Sequence, residues 1–442
     1  MPDSDARTAP SPPRTRRLAR NGVLLVTGVL AIAFNLRAAI TSLPPLFPEL
    51  SSRLHLPPAS IAVLASLPVL AFGVFSGVAA PLSRRFGEER VLGGAVVLLA
   101  AGLLLRGAAP GAALFPGTAL AAAAIALLNV LLPSLVKRRA PERAGLLIGL
   151  YLLSLSAGSI LASLIAVPVY NESGGSVPLS LAVWALPALA AAVVWLPQRR
   201  YRTVPRARSA QPQQLPETQQ LPETPQPHER PVRPAAPPKV SRYTLTWQVT
   251  AFMGLQSLTF YAALSYLPTM FRDRGVSAGT AGTLLALTGV GGAVGSLLIP
   301  VFAHRARNQR ALVAGTVAAS AAGLAGAWFA PLRGDVIWVL VLGLGQGASL
   351  GLAIYFTMAR APDPRAAASL SGFAQSVGYL VATTGPLAVG FLHSALGGWT
   401  VPVVVLLVVT GLQLVAGWPA ARNITLPAAA ALPPAVTRPA AG

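Results

Sequence analysis

Twelve runs of mostly apolar residues, each of a length that crosses a bilayer as a helix, recur along this chain and leave it few ways to fold. A helical crossing takes about 20 such residues at about 1.5 Å each. By hydropathy the runs cover 22–47, 58–81, 91–107, 111–136, 145–169, 178–196, 245–271, 277–303, 311–330, 334–359, 366–394 and 399–419. With 54% of residues hydrophobic, 11% charged and a mean hydropathy of +0.61, the composition is that of a membrane protein. The first run is longer than the apolar core of a signal peptide and many others follow it, so it is expected to be retained. The expected fold class is an all-α polytopic membrane protein with twelve transmembrane helices in two six-helix repeats.

Placing the N-terminus in the cytoplasm puts 28 of the 34 Lys and Arg residues in alternate breaks and the two tails. The other breaks and the run ends beside them hold only Arg53, Arg106, Arg272, Arg274 and Arg333. Cytoplasmic loops carry such an excess, so a multi-pass protein of the cell membrane with both termini cytoplasmic is expected. The formal charge of +21 does not imply nucleic acid, because the basic residues lie in short breaks and not on one folded surface. There is no cysteine, which excludes a disulfide framework, thiol chemistry and thiolate-bound metal.

Between the sixth and seventh runs lies a Pro- and Gln-rich stretch in which QQLPET occurs at Gln213 and again at Gln219. It is too polar to offset its ordering entropy by burial and reads as a disordered linker. The expected organisation is a disordered cytoplasmic tail over 1–20, a six-helix bundle over 21–197, the linker over 198–244, a second bundle over 245–420 and a tail over 421–442. The halves repeat one another. LPPLF (43–47) and LPTMF (267–271) stand 224 positions apart, SRRFGEERVL (83–92) and AHRARNQRAL (303–312) 220 apart, and RAPE at Arg139 matches RAPD at Arg360. Transporters are built from such repeats and hold substrate between them near the midplane.

The six-plus-six layout with a long central loop resembles the major facilitator superfamily over nearly the whole chain. The strings NLRAAITSLPPL, LPVLAFG, NVLLPSLVKR, FMGLQSLTFYAALSYLP and SGFAQSVGYLVATTGPLAVG resemble its cyanate and 2-nitroimidazole transporter branch. The resemblance implies secondary transport by a monomer. One departure concerns the loop after the second run, where the family pattern has an Asp and this chain has Arg84. The resemblance then leaves an Asp-centred latch without its carboxylate. Arg85 and Arg305 remain as a candidate cytoplasmic gate, since cations are favoured at helix C-termini; plain positive-inside charge explains them equally well.

Arg37 is the residue that points to chemistry. A guanidinium near the centre of an apolar run costs about 2.5–3.5 kcal/mol on insertion scales and normally faces protein or a wet cavity. Its five-donor fork suits a planar or multi-oxygen anion, or a nitro group. Helical spacing puts Phe34 and Thr41 on its face, Phe34 as a stacking partner and Thr41 as a hydroxyl, while Asn35 lies to one side. The 224 offset sets Tyr261 opposite Arg37, with Gln256 and Phe260 on the same run. Asn129, Tyr151, Gln346, Gln375 and Tyr379 complete a candidate polar lumen. Hydrogen bonding between helices accounts for each of these polar groups singly about as well. The glycines at 289, 291, 292 and 295 and at 343, 345, 347 and 351 read as close helix packing.

None of the thirteen Asp and Glu residues lies deep in a run, so an intramembrane carboxylate relay is not expected. Glu49 and Asp273 occupy aligned positions at the outer mouth and read mainly as a solvated rim; His393 reads mainly as interfacial. A coupling proton stays open. No metal-binding cluster and no nucleotide motif occurs, so no metal and no cofactor is expected, and ATP is not the energy source. A nucleophile with a positioned base is lacking too, so no enzyme is expected. The chain reads as a secondary transporter of a small anionic or strongly polar, cyanate-like solute. Export of nitroimidazole-like or drug-like compounds is the alternative, and a membrane sensor without transport is the alternative of another class.

Overall fold

A computed structural model of the chain describes residues 14–197 and 240–427. Residues 1–13, 198–239 and 428–442, which carry most of both expected tails and the linker, lie outside the described residues. Among the described residues there is no strand. The first half contains α1 (Arg14–Thr41), α2 (Phe47–Leu54), α3 (Pro58–Phe86), α4 (Glu88–Ala108), α5 (Pro110–Arg139), α6 (Ala144–Glu172), α7 (Val177–Ala182) and α8 (Ala185–Trp195). The second half contains α9 (Thr244–Asp273), α10 (Ala278–Arg305), α11 (Arg310–Phe329), α12 (Asp335–Ala359), α13 (Pro364–Ala382), α14 (Thr384–Leu396) and α15 (Thr400–Ala420).

Three of the expected runs are broken helices, and proline explains each break. Pro44 and Pro45 donate no N–H, so α1 stops at Thr41 and the chain passes through a 3-10 turn, Pro44–Leu46, into α2. Pro187 and Pro386 follow the α7–α8 and α13–α14 junctions in the same way. At its other end α1 begins at Arg14, inside the expected tail over 1–20, because Arg and Leu are strong helix formers and extend the helix past its apolar part. Residues 421–427 likewise depart from a free tail: Ala421 and Leu426 are buried, and the Leu426 N–H donates to the Arg360 carbonyl at 2.8 Å.

Eleven spans among the described residues are long and apolar enough to cross a membrane. With 30 residues, α9 is as long as the others, and Gln256, Ser257, Thr259 and Ser265 make it the most polar; it completes twelve. Small residues let the helices close up, as the sequence led us to expect for span eight and span ten. A Cβ at Gly347 would run into the Gly292 carbonyl, and one at Gly343 into the Thr288 carbonyl, so α10 and α12 approach backbone to backbone.

The halves meet along two seams, α6 against α10 and α3 against α13 and α14, and both narrow toward one end. On the first, a Cβ at Gly282 would lie 2.6 Å from the Ser163 carbonyl, whereas one at Gly289 would lie 3.3 Å from Ile160. On the second, a Cβ at Gly390 would lie 2.6 Å from Ala62, one at Gly73 2.8 Å from Leu380, and one at Gly77 4.0 Å from Ser376. The structure is therefore shut at the end bearing Glu49 and splays toward the end bearing Arg85 and Arg305.

Candidate functional site

Arg37 projects from α1 into the space left where the α6–α10 seam widens. It is half-buried and lines a cavity of about 250 Å³ with Leu152, Ser156 and Ser159 of α6, Phe260 of α9, and Ser296 and Pro300 of α10. Its guanidinium lies 5.3 Å from the centroid of the Phe260 ring, within the range of a cation–π contact. Among the described residues none of its N–H groups has a hydrogen-bonding partner. The fork is thus not capped by its own neighbours among the described residues. A roomier cleft of about 300 Å³ between α10, α11 and α12 is lined by Leu298, Ile299, Phe302 and Leu344 and carries no charge. Convergent polar groups mark a binding site better than volume does, which favours the Arg37 cavity.

Part of the expected constellation assembles around this cation. Tyr151, Tyr261 and Tyr379 all lie within electrostatic reach of Arg37. The Tyr261 ring stands edge-on to Phe260 at 5.0 Å and to Tyr379 at 6.3 Å, and Phe72 of α3 touches both tyrosines at 6.1 and 5.6 Å. The Tyr151 hydroxyl donates to Asn129 Oδ1 at 3.1 Å, joining α6 to α5. Gln375 is half-buried and donates to Ser371 Oγ one turn back, at 2.8 Å.

Other expected residues are committed elsewhere. Asn35 donates to the carbonyls of Ala31 at 2.8 Å and Pro187 at 3.0 Å, bracing α1 against the α7–α8 break. Thr41 is fully buried and donates to the carbonyls of Arg37 and Ser159. Gln256 donates to the Gln346 carbonyl at 3.3 Å and Gln346 to the Thr259 carbonyl at 3.4 Å, so the two amides fasten α9 to α12. Phe34 does not take the stacking place that the spacing gave it: its carbonyl abuts Gly158, and Phe260 of the other half covers the guanidinium instead. In each case a buried polar group has found the nearest backbone acceptor, the outcome that hydrocarbon surroundings favour.

The shut end holds a layer that sequence reasoning had read as a rim. Glu49 of α2 pairs with Arg272 of α9 across the halves at 2.6 Å, and Phe47 meets Tyr266 at 6.3 Å beside it. Tyr266 contacts Trp399 at 5.7 Å; the Trp399 indole donates to Asp273 Oδ2 at 2.7 Å and carries His393 stacked on it at 3.9 Å. The sequence signal was present, since the 224 offset sets Glu49 against Asp273, next to Arg272. A second guanidinium was also missed: Arg106, assigned to a polar break, lies within α4 and is 1% exposed.

At the splayed end Arg85 and Arg305 are both exposed. Arg85 lies over its neighbour Phe86 at 5.3 Å, and neither arginine has a hydrogen bond or ion pair among the described residues. Two carboxylates at this end are held within the first half, Glu88 by Arg138 and Glu89 by Arg139 at 3.2 Å.

Comparison with known proteins places this geometry. The family model of the Major Facilitator Superfamily matches residues 25–386. The chain is 37% identical to the 2-nitroimidazole transporter of Escherichia coli (strain K12) over 404 residues, covering 91% of this chain and 97% of that protein. It is 28% identical to the cyanate transport protein CynX of the same organism over 372 residues, covering 84% and 90%. Among solved structures, the inward-facing, unoccupied bacterial homologue of the human lysosomal transporter Spinster superposes with a TM-score of 0.70 at 16% identity, over 92% of this chain and 97% of that one.

Proposed function

The chain belongs to the Major Facilitator Superfamily and is a membrane transporter of small solutes, not an enzyme; we propose that its solute is a small anionic or strongly polar molecule bound at Arg37. One observation carries this: a guanidinium inside a span, in a cavity, with no protein acceptor among the described residues. Such a fork recognises two or more coplanar oxygens at once. Phe260 and the three tyrosines come mostly from the second half and Arg37 from the first, so a bound solute draws both halves together, and rocking about it exposes it to alternate sides.

The excess of Lys and Arg supports both termini being cytoplasmic in the cell membrane, with the bundles spanning 21–197 and 245–420. The shut Glu49 end then faces outward and the splayed Arg85 end inward. Transport is secondary and the unit a monomer; a proton is one candidate for the coupling ion. A second reading, export of a nitroimidazole-like compound, is favoured by the cavity itself. An ion of three heavy atoms fills on the order of two water volumes of ~30 Å³, far less than about 250 Å³, whereas a nitro-bearing ring fills more of a cavity of that volume beside Arg37 and Phe260.

A thermal-shift series on the purified protein with cyanate, other small anions and 2-nitroimidazole tests both readings, followed by uptake into everted vesicles and whole cells. A stabilising compound is expected to lose its effect in Arg37→Gln and to keep only part of it in Arg37→Lys, which retains charge without the fork. Equal affinity and rate in either variant removes Arg37 from the site.

A further inference from the structure

Arg106 stands at the elbow of the first membrane span. The α1 arm carries Arg37; beyond the proline break, the 3-10 turn and α2 carry Phe47 and Glu49, which meet Tyr266 and Arg272 of the other half. At the break the Leu43 N–H turns to the Ile40 carbonyl at 3.3 Å, which leaves the Ala39 carbonyl without its usual helical donor. Arg106 Nη1 donates to that carbonyl at 3.0 Å, and Ser42 Oγ approaches it at 3.4 Å. A cation at a helix C-terminus is electrostatically favoured.

The backbone under Arg106 is held on two sides. A Cβ at Gly117 would lie 2.6 Å from the Arg106 nitrogen, and one at Gly107 would lie 2.7 Å from the Ala182 nitrogen. Its Nε and Nη2 are buried and have no hydrogen-bonding partner among the described residues. A cation sealed from water with two donors unmet is a poor stabiliser compared with an apolar side chain of its size, so stability alone does not account for it.

We propose that Arg106 is a positioning residue that locks the Arg37 arm and the Glu49 arm of the first span into one rigid lever, so that events at the solute cavity reach the Glu49–Arg272 latch. This rests on the transport reading for its purpose and on the elbow geometry for its substance. Without the guanidinium the proline break flexes: solute still binds at Arg37, but the latch no longer follows.

The chain has no cysteine, so spin labels at Ser52→Cys and Thr280→Cys, exposed positions on α2 and α10, report the shut end without background. With Arg106 in place a single short distance is expected; in Arg106→Gln, whose amide is too short to reach the Ala39 carbonyl, the distribution broadens or lengthens, and Arg106→Lys, whose longer side chain brings a donor nearer to it, restores it. For 2-nitroimidazole, Arg106→Gln is expected to lower turnover about tenfold while the dissociation constant stays within about threefold, a split that mere loss of folded protein does not give. Removing the break with Pro44→Ala and Pro45→Ala supplies the missing helical donors and makes the Gln variant nearly as narrow in distance as its parent. An unchanged distribution in Arg106→Gln overturns the proposal, as does a loss of affinity in step with turnover. If Arg106→Gln does not fold, a Lys variant as broad as an unlatched protein overturns it instead. Failure of the wild type to transport any compound tested removes the transport reading, while the label distances still decide the elbow.

Discussion

The two halves repeat one backbone device with different chemistry. In the first, Glu89 at the start of α4 pairs with Arg139 at the end of α5. In the second, Gln309 before α11 accepts from Arg360 after α12 at 2.6 Å. The repeats that align GEER with RNQR and RAPE with RAPD put these pairs in register, so one tie is ionic and the other ends in a neutral amide. The surroundings follow the chemistry. Arg360 is 1% exposed and also donates to the Ala420 carbonyl at 3.0 Å and to Asn423 Oδ1 at 3.4 Å; burial pushes its guanidinium below the ordinary arginine range. Arg139 has a carboxylate and remains 14% exposed. A buried cation served by neutral acceptors needs several of them, whereas one carboxylate suffices near water.

The largest expected effect separates the two ties. Arg360→Ala strands Gln309 Oε1, Asn423 Oδ1 and the Ala420 carbonyl at the α15 end while leaving the backbone carbonyl that Leu426 uses, so a loss of about 3 kcal/mol or more is expected. Arg139→Ala, at a pair whose arginine is 14% exposed but whose glutamate is buried, is expected to cost less, about 1–2 kcal/mol. Melting both variants in detergent checks this; equal losses would mean that burial does not distinguish the halves.

An exchange of chemistry gives a smaller effect and a sharper test. Glu89→Gln turns the first tie into a copy of the second and is expected to cost about 0.5–1 kcal/mol at low salt and less at high salt, where the ion pair it removes is already screened. Gln309→Glu places a carboxylate against the buried Arg360 and is expected to stabilise, with little response to salt because burial limits screening. The same direction of change in both variants would show that the ties are not equivalent in position.

Much of the fold was legible because hydrocarbon permits so few solutions: run length gave the spans, and the repeats gave the paired halves. Arg37 was legible for the same reason, since a guanidinium in lipid demands an account. The partner of a polar group was not. Asn35, Thr41, Gln256 and Gln346 carry the same side chains as a lumen would, and only the position of a carbonyl on a neighbouring helix decides where each one turns. Phe34 shares the face of Arg37 by spacing, yet Phe260, on a helix of the other half, is the ring that covers the guanidinium. Arg106 was hidden by its place at the end of a run, where sequence does not tell a solvated loop from a buried elbow. Glu89 and Arg139 stood 50 positions apart, yet the aligned Gln309 and Arg360 show that the pairing was present in the repeat itself.

A final pair of variants concerns the polar groups that left the site. If Asn35 and Gln346 only tie helices, Asn35→Ala and Gln346→Ala should each cost about 0.6–1.7 kcal/mol, as hydrogen bonds between membrane helices do, and should leave the thermal shift given by a stabilising solute unchanged. Asn35 braces α1 within the first half, and Gln346 braces α9 within the second through the Thr259 carbonyl. Matched losses would mean that the halves are internally fastened alike and differ only at the ties and around Arg37. A lost solute response in Gln346→Ala, with the response intact in Asn35→Ala, would instead assign the α9–α12 amide pair to the solute side of the second half.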